Sequence, residues 1–232
     1  KNIYKIHYIV FFFALFFSKA IAEPTFVQSK SIDDQFYLGL NFNNDGTKMY
    51  TVNAGASDAV IEYILTTPYD ISTATVNNTK NVSRGGDTQA TQVVFNNDGT
   101  KMFIVNHAGN KSVDEYLLST AFDVSTATRD SEISIGGQEP RANTIAFNND
   151  GTRMIIAGAG GNNKLHRIHE YSLSTGFDLS STVTHLNTED LSSTHDYIDG
   201  VTFNYDGTKT VSYTHLRAHE TPELRVWRIM GG

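Results

Sequence analysis

A seven-residue phrase that occurs four times constrains this chain more than any other feature of its sequence. The copies begin at Phe42, Phe95, Phe147 and Phe203. Each reads Phe-Asn-Asn-Asp-Gly-Thr-Lys, except for an Arg that ends the third copy and a Tyr within the fourth. The steps between copies are 53, 52 and 56 residues, and a period of this size is typical of a repeat architecture. Residues that every repeat shares serve the scaffold, so a functional site is expected among residues that break the pattern.

Length and composition are those of one globular domain or one repeat array. The chain has 232 residues, of which 39% are hydrophobic, and this is enough to bury a sizeable core. Cysteine is absent, which excludes disulfides, a thiol nucleophile and a cysteine metal cluster.

The first 22 residues have the layout of a secretory signal peptide. Two lysines, Lys1 and Lys5, precede an apolar run over 6–17, and Ala20 and Ala22 supply the small residues of a cleavage site. A retained membrane anchor is the alternative, but the apolar run is shorter than the ~20 residues that span a bilayer. We therefore predict a secreted or periplasmic protein that has no membrane segment after cleavage.

Cleavage would leave an acidic chain. Residues 23–232 hold 15 basic and 25 acidic side chains, a net charge of −10. Nucleic acid requires a basic surface, so we expect no nucleic-acid partner, and the excess of acids favours solubility.

The C-terminal segment 211–232 differs from the rest of the chain. It begins Val-Ser-Tyr-Thr-His-Leu, it lacks the repeat pattern, and it contains Trp227, the one tryptophan of the sequence. This segment resembles a translated sequencing-library adapter. We predict that native sequence ends near Thr210 and that the tail has no function.

Each repeat predicts a four-stranded antiparallel meander. In the second repeat, runs rich in β-branched and apolar residues predict strands over 91–95, 101–105, 113–118 and 132–135. A tight turn over 96–99 contains Gly99, which can adopt positive φ at little cost. The second strand of each repeat is apolar on successive residues, as expected when both faces of a sheet are buried. Stacked four-stranded sheets arranged radially form a β-propeller.

The segment Phe95–Val105 resembles the Phe-Ser-Pro-Asp-Gly-Thr-Lys-Leu-Tyr-Val signature of YVTN-type and lactonase-like propeller repeats. The resemblance covers about residues 36–210, although this chain has Asn in place of Ser-Pro and has blades longer than the ~40–45 residues of WD-type repeats. It implies an all-β propeller with blades near 36–87, 88–140 and 141–195 and a partial fourth blade over 196–210. Known propellers have 4 to 8 blades, so we expect the N-terminal part of a longer protein that folds as an open arc.

Several sets of repeated acidic residues are predicted to be structural. The four Asp-Gly turns lack the alternating oxygen ligands of a calcium loop, and hairpin geometry explains them. We expect an inter-blade or cross-strand hydrogen bond from Glu62, Glu115 and Glu170. In three other turns an acid should cap backbone N–H groups next to a Ser two residues later, at Asp70, Asp123 and Asp178.

The pair His166 and His169 raises the possibility of zinc. The segment that contains them is predicted to be a strand, in which side chains three residues apart point to opposite faces. One zinc ion is therefore not expected to bind both histidines, and we predict no metal and no cofactor.

The best candidate site lies in the loops, because loops on a rigid scaffold are where binding residues concentrate. The resemblance implies that loops between second and third strands gather on the same face as the connections between blades. These segments supply the candidate ligand-binding residues Arg84, Asp87, His107, Asn110, Glu139, Arg141, His195 and Asp196. Solvated loop polarity is the alternative explanation for these residues.

The sequence predicts a recognition module whose partner is a protein, a glycan or a small molecule. It contains no nucleophile elbow, phosphate loop or dinucleotide fingerprint. Two other functions remain open: a lactonase-like hydrolase with polar residues over the channel, and a structural surface or adhesion spacer.

Overall fold

The described part of the chain consists of β-strands and two single-turn 3₁₀ helices, η1 and η2. The computed structural model describes residues 27, 29–30, 37–54, 58–84, 89–109, 111–160, 165–192, 198, 200–204, 209–213 and 225–228. Blade 1 comprises β1 (Tyr37–Phe42), β2 (Lys48–Asn53), β3 (Ala59–Leu65), η1 (Ile71–Thr73) and β4 (Ala74–Asn81). Blade 2 comprises β5 (Ala90–Phe95), β6 (Lys101–Asn106), β7 (Ser112–Leu118), η2 (Val124–Thr126) and β8 (Ala127–Ser134).

Blade 3 and a fourth, smaller sheet complete the architecture. Blade 3 comprises β9 (Ala142–Phe147), β10 (Arg153–Gly160), β11 (Leu165–Leu173) and β12 (Val183–Asp190). The fourth sheet comprises β13 (Gly200–Phe203), β14 (Lys209–Tyr213) and β15 (Arg225–Arg228). Its third strand comes from the C-terminal segment 211–232, in addition to the hairpin that the sequence predicted.

Each sheet is a simple antiparallel meander. Strands pair in chain order in all three blades and in the fourth sheet. The sheets do not close into a ring, so the molecule is an open propeller arc of about three blades. This confirms the predicted fold class. The fourth strands are longer than predicted, because β8 starts at Ala127, directly after the turn that Asp123 caps.

The repeated phrase forms the hairpin between the first and second strands. In blade 2, the Thr100 hydroxyl and backbone N–H donate to Asp98 Oδ1 at 2.6 and 3.0 Å, and these bonds lower the pKa of Asp98. Gly99 has φ +73°, as the turn requires. The Oδ1 atom of Asn96 accepts from Lys101 N at 2.9 Å, so the residue at the Ser position of the signature closes the turn.

The blades bury their apolar faces against one another. Tyr50, Val52 and Val60 of blade 1 form one core cluster with Met102 and Tyr116 of blade 2. An equivalent cluster joins blades 2 and 3 around the next set of aligned residues, which includes Phe103, Val105, Val113, Met154 and Tyr171. The apolar surface removed from water stabilises the stack, and the second strands are buried on both sides as predicted.

The repeated acids are structural, as the sequence predicted. Glu62 Oε2 accepts from the backbone N–H of Val124 in the next blade at 3.0 Å, and Glu115 Oε2 accepts from that of Leu179 at 2.7 Å. The caps at the third turns, which join the third and fourth strands of a blade, are also present, since Ser72 N donates to Asp70 Oδ1 at 3.0 Å.

Among the described residues, no helix has the length and hydrophobicity that crossing a membrane requires.

Candidate functional site

Loops and blade connections meet at one end of each blade, and this surface is called the connector face here. Val82 N donates to Asp58 O at 2.9 Å, which ties the exit from β4 to the loop before β3. The same bond recurs from Ile135 N to Lys111 O at 2.9 Å and in blade 3 from the aligned N–H at 2.7 Å. The connector face therefore comprises described residues 58, 82–84, 89, 106–109, 111, 135–141, 166 and 191–192.

Four of the predicted site residues lie on this face, and four lie outside the described residues. Asp87, Asn110, His195 and Asp196 belong to the second group. Among the first, Arg141 is exposed. His107 is half-buried, and its backbone N–H donates to Gln89 O at 3.0 Å. Arg84 and Glu139 reach away from the loops and contact the third strand of the following blade.

One repeat position in the third strand receives these two charged side chains. It lies one residue before the structural glutamate and is occupied by Ile61, Asp114 and His169 in blades 1, 2 and 3. Neighbouring residues of a strand face opposite sides of the sheet. Because the structural glutamate faces the following blade, this position faces the preceding one. In blades 2 and 3 a polar residue occupies this position and breaks the repeat pattern.

In blade 2 the position is the centre of an ionic network. Arg84 Nη1 lies 3.4 Å from Asp114 Oδ1, and Arg129 Nε lies 3.4 Å from Asp114 Oδ2. Both guanidinium groups also bind the carboxylate of Glu132. The Ser112 hydroxyl donates to Asp114 Oδ1 at 2.8 Å.

Burial and charge act in opposite directions on this carboxylate. Asp114 is fully buried, and burial raises its pKa, while the Ser112 hydrogen bond and the two guanidinium groups oppose the shift. Burial and the nearby Asp114 also raise the pKa of Tyr116 to about 12. The network thus presents two cations and two anions between blades 1 and 2.

In blade 3 the same position carries a histidine network. His169 Nε2 lies 3.7 Å from Glu139 Oε2, and both side chains are buried. On the other side of the ring, His169 Nδ1 lies 2.9 Å from Thr188 Oγ1 and 3.4 Å from His185 Nε2. The second carboxylate oxygen of Glu139 accepts from Arg141 N at 3.1 Å.

The surroundings of His185, at the exposed end of the histidine network, favour the neutral form of its imidazole. Partial burial and the neighbouring His169 lower the pKa of His185. Burial and the charge of Glu139 raise the pKa of Tyr171 to about 12. The network runs from the buried carboxylate of Glu139 to the exposed imidazole of His185.

Sequence reasoning located some participants of the two networks and missed others. Arg84 and Glu139 were predicted, but Asp114 and His169 were not assigned to this site. Alignment of the third strands could have found them, because Ile61 shows that the scaffold does not need a polar residue there. His166 and His169 lie in one strand, as predicted. No group of three His, Asp or Glu side chains in the described ranges is arranged to hold a metal ion.

Solved structures with the same architecture identify the fold. A protein of unknown function from Desulfotomaculum acetoxidans superposes with a TM-score of 0.53 and 15% identity, over 89% of this chain and 60% of its own. A Bacteroides uniformis protein assigned as a 6-phosphogluconolactonase gives 0.56 and 10%, over 83% and 55%. The β-propeller domain of Cps50 (Swd1) from Myceliophteria thermophila gives 0.52 and 10%, over 84% and 54%.

These likenesses establish the fold. The chain is a β-propeller repeat protein with lactonase-like and WD40-like structural neighbours, which confirms the resemblance seen in its sequence. It spans 54–60% of the length of these neighbours. No family model matches the chain, and no curated protein matches it.

Proposed function

We propose that this protein is a secreted or periplasmic recognition module that binds its partner on the connector face. The observation that carries the proposal is the repeat position held by Ile61, Asp114 and His169. A scaffold that tolerates isoleucine there has twice acquired a buried polar residue, and twice a charged residue of the preceding connection meets it.

The energetics of burial support a role other than stability. A buried ion pair is often no more stabilising than well-packed apolar residues of similar volume. Networks of this kind fix the direction of a few polar groups and rigidify the loops that carry them. Arg141 is exposed on the connector face next to the histidine network, and its backbone N–H donates to Glu139 of that network. A rigid surface with fixed donors and acceptors suits binding.

The chemistry favours a partner that offers hydrogen-bonding groups, such as a protein, a glycan or a polar small molecule. The net charge of −10 without the predicted signal peptide disfavours nucleic acid. A hydrolase remains the second candidate because the structural neighbours include a protein assigned as a lactonase. A hydrolase would turn over a substrate, whereas a recognition module would not.

Site-directed photo-crosslinking in the native host tests the proposal. A photoreactive phenylalanine analogue replaces His107 or Arg141 on the connector face. In matched controls it replaces Ser119 or Thr175, exposed residues in the turns that follow β7 and β11 at the opposite ends of the strands. We expect one defined adduct from both connector-face positions and none from the turn positions, in extracellular or periplasmic fractions.

Four outcomes would contradict the proposal or a part of it. Equal labelling from both faces, or no adduct from either, would exclude the connector face as the recognition surface. Hydrolysis of δ-gluconolactone that Glu139→Gln abolishes would favour the hydrolase instead. A chain found only in the cytosol would contradict the proposed location.

A further inference from the structure

The first two blades each hold the third turn of the next blade with a paired lysine and glutamate. In blade 1, Lys48 Nζ lies 3.0 Å from Glu62 Oε1. Lys48 Nζ also donates to Phe122 O at 2.9 Å, and Glu62 Oε2 accepts from Val124 N at 3.0 Å. The pair therefore binds a carbonyl and an N–H that are two residues apart on one turn. This arrangement is called the turn seat here.

The second turn seat repeats this geometry with different side chains around it. Lys101 Nζ lies 2.6 Å from Glu115 Oε1 and donates to Phe177 O at 2.8 Å. Glu115 Oε2 accepts from Leu179 N at 2.7 Å. In the first seat the Tyr50 hydroxyl also donates to the turn, at 2.7 Å, but the aligned residue in the second is a phenylalanine. The cation and the carboxylate are thus the essential pair.

Blade 3 has the same kind of pair, and no described residue supplies a turn to it. Arg153 Nη1 lies 2.9 Å from Glu170 Oε1. Within the described part of the chain, no turn donates to the Glu170 carboxylate or accepts from Arg153. The side chains are also more open than their counterparts. Glu170 is 12% exposed, whereas the glutamates of the two filled seats are 0% exposed, and Arg153 is 33% exposed against 23% for both lysines.

We propose that Arg153 and Glu170 form a third turn seat that binds a turn of the kind aromatic–Asp–aliphatic–Ser/Thr. The occupant is defined by chemistry that this molecule shows twice, a carbonyl on the aromatic residue and an N–H on the aliphatic residue. Arg153 suits the carbonyl because a guanidinium has five N–H donors and only part of them face Glu170. The strand β13 lies against β9 and β10, as β5 lies against β1 and β2. A turn placed on blade 3 as η2 is placed on blade 1 would therefore lie over β11 and β12.

The proposal is independent of the recognition function, because the seat lies on the face of blade 3 that points away from blade 2, and not on the connector face. Its consequence is specific. Blade 3 binds a further propeller unit through a polar clamp as well as through apolar packing, and the clamp selects a turn with the correct spacing of its backbone groups.

A cyclised peptide that carries residues 118–127, the natural occupant of the first seat, is the appropriate probe. It contains Phe122 at φ +58°, so a D-phenylalanine at this position favours the bound backbone conformation. The matched control peptide carries an N-methyl group on the nitrogen of residue 124, which removes the N–H that a seat glutamate accepts. Binding to the full chain is measured by fluorescence anisotropy.

We expect saturable binding of the first peptide, and a loss of about tenfold or more in affinity with the N-methyl peptide. The variant Glu170→Gln should lose a similar factor, and Glu189→Gln, an exposed acid on β12, should bind within about twofold of wild type. Circular dichroism checks that both variants are folded. Absence of saturable binding up to about 1 mM, a range that detects interactions of about −4 kcal/mol, would overturn the proposal. Equal affinity for the two peptides would also overturn it.

Discussion

At the scale of single residues, the Asp-Gly turn depends on an aromatic ring from a later segment of the same blade. Tyr69, Phe122 and Phe177 all have positive φ, at 59°, 58° and 54°. Each N–H donates to the carbonyl of a turn glycine, as in Phe122 N to Gly99 O at 2.9 Å. The ring then covers the glycine, where a Cβ on Gly99 would lie 2.3 Å from the Phe122 ring. The glycine is therefore required both by its backbone conformation and by the ring.

The substitution Gly99→Ala should be strongly destabilising. An L-residue in the left-handed region costs roughly 1–2 kcal/mol, and the new methyl group also displaces the Phe122 ring. Urea unfolding should show a loss of at least about 2 kcal/mol in the free energy of unfolding. The control is Gly137→Ala, where a Cβ would meet nothing within 4 Å and the change should stay within about 0.5 kcal/mol. Equal effects would show that the ring does not constrain the turn.

At the scale of the strand, neighbouring positions of the third strand serve opposite blades. Glu62 and Glu115 face the following blade and hold its turn, so their role is the same in the first two repeats. The position one residue earlier faces the preceding blade and varies among the repeats. Because the alternation of a strand separates the two faces, one of them can change without disturbing the other.

Removal of a seat carboxylate should weaken the contact between blades. Glu115→Ala leaves Lys101 without its partner and the N–H of Leu179 without its acceptor. Breaking a buried pair costs about 3–5 kcal/mol. Because Lys101 is 23% exposed and can be partly hydrated, we expect a loss of about 3 kcal/mol in chemical unfolding. Glu189→Ala on β12 is the exposed control, with an expected change within about 0.5 kcal/mol. A loss below 1 kcal/mol for Glu115→Ala would contradict the role of the seat.

At the scale of the whole molecule, the open arc leaves an apolar surface at its first blade. Leu40 is 56% exposed, whereas the aligned residues Val93 and Ile145 are 0% and 1% exposed. The difference arises because an inner strand of a preceding blade covers the latter two. Asn41 Nδ2 donates to Val93 O at 3.2 Å, and Gln92 Oε1 accepts from Ile145 N at 2.6 Å. Exposed apolar strand edges favour association.

A lysine at the open end of the arc should reduce self-association. Leu40→Lys adds a charge to an exposed strand, so the free energy of unfolding should change by no more than about 0.5 kcal/mol. Sedimentation velocity at several concentrations should show a smaller associated fraction than for the wild type. Val93→Lys at the aligned buried position should instead cost about 3 kcal/mol or more. If Leu40→Lys leaves association unchanged, the exposed edge of blade 1 is not its cause.

The sequence predicted the scaffold well because the scaffold is local and repeated. The phrase that begins at Phe95 places two strands and a turn, and the structural role of Glu115 followed from its recurrence. Prediction of the site was less complete. Arg84 and Glu139 were selected as irregular loop residues, but their partners Asp114 and His169 lie 30 residues further along the chain. The loop in which a residue lies does not reveal which strand its side chain reaches.

The sequence by itself determined the period and the four-stranded unit, and the resemblance to propeller repeats implied the face on which loops gather. The period and the unit follow from hydrogen bonds and turn conformations within about fifty residues, and each repeat states them again. Only the tertiary structure decided which charges meet, because Arg84 and Asp114 come together through the stacking of one blade on another. It also decided that, among the described residues, no turn lies on Glu170 as one does on each of its counterparts. Contacts between blades depend on packing geometry, and composition does not encode that geometry within a single repeat.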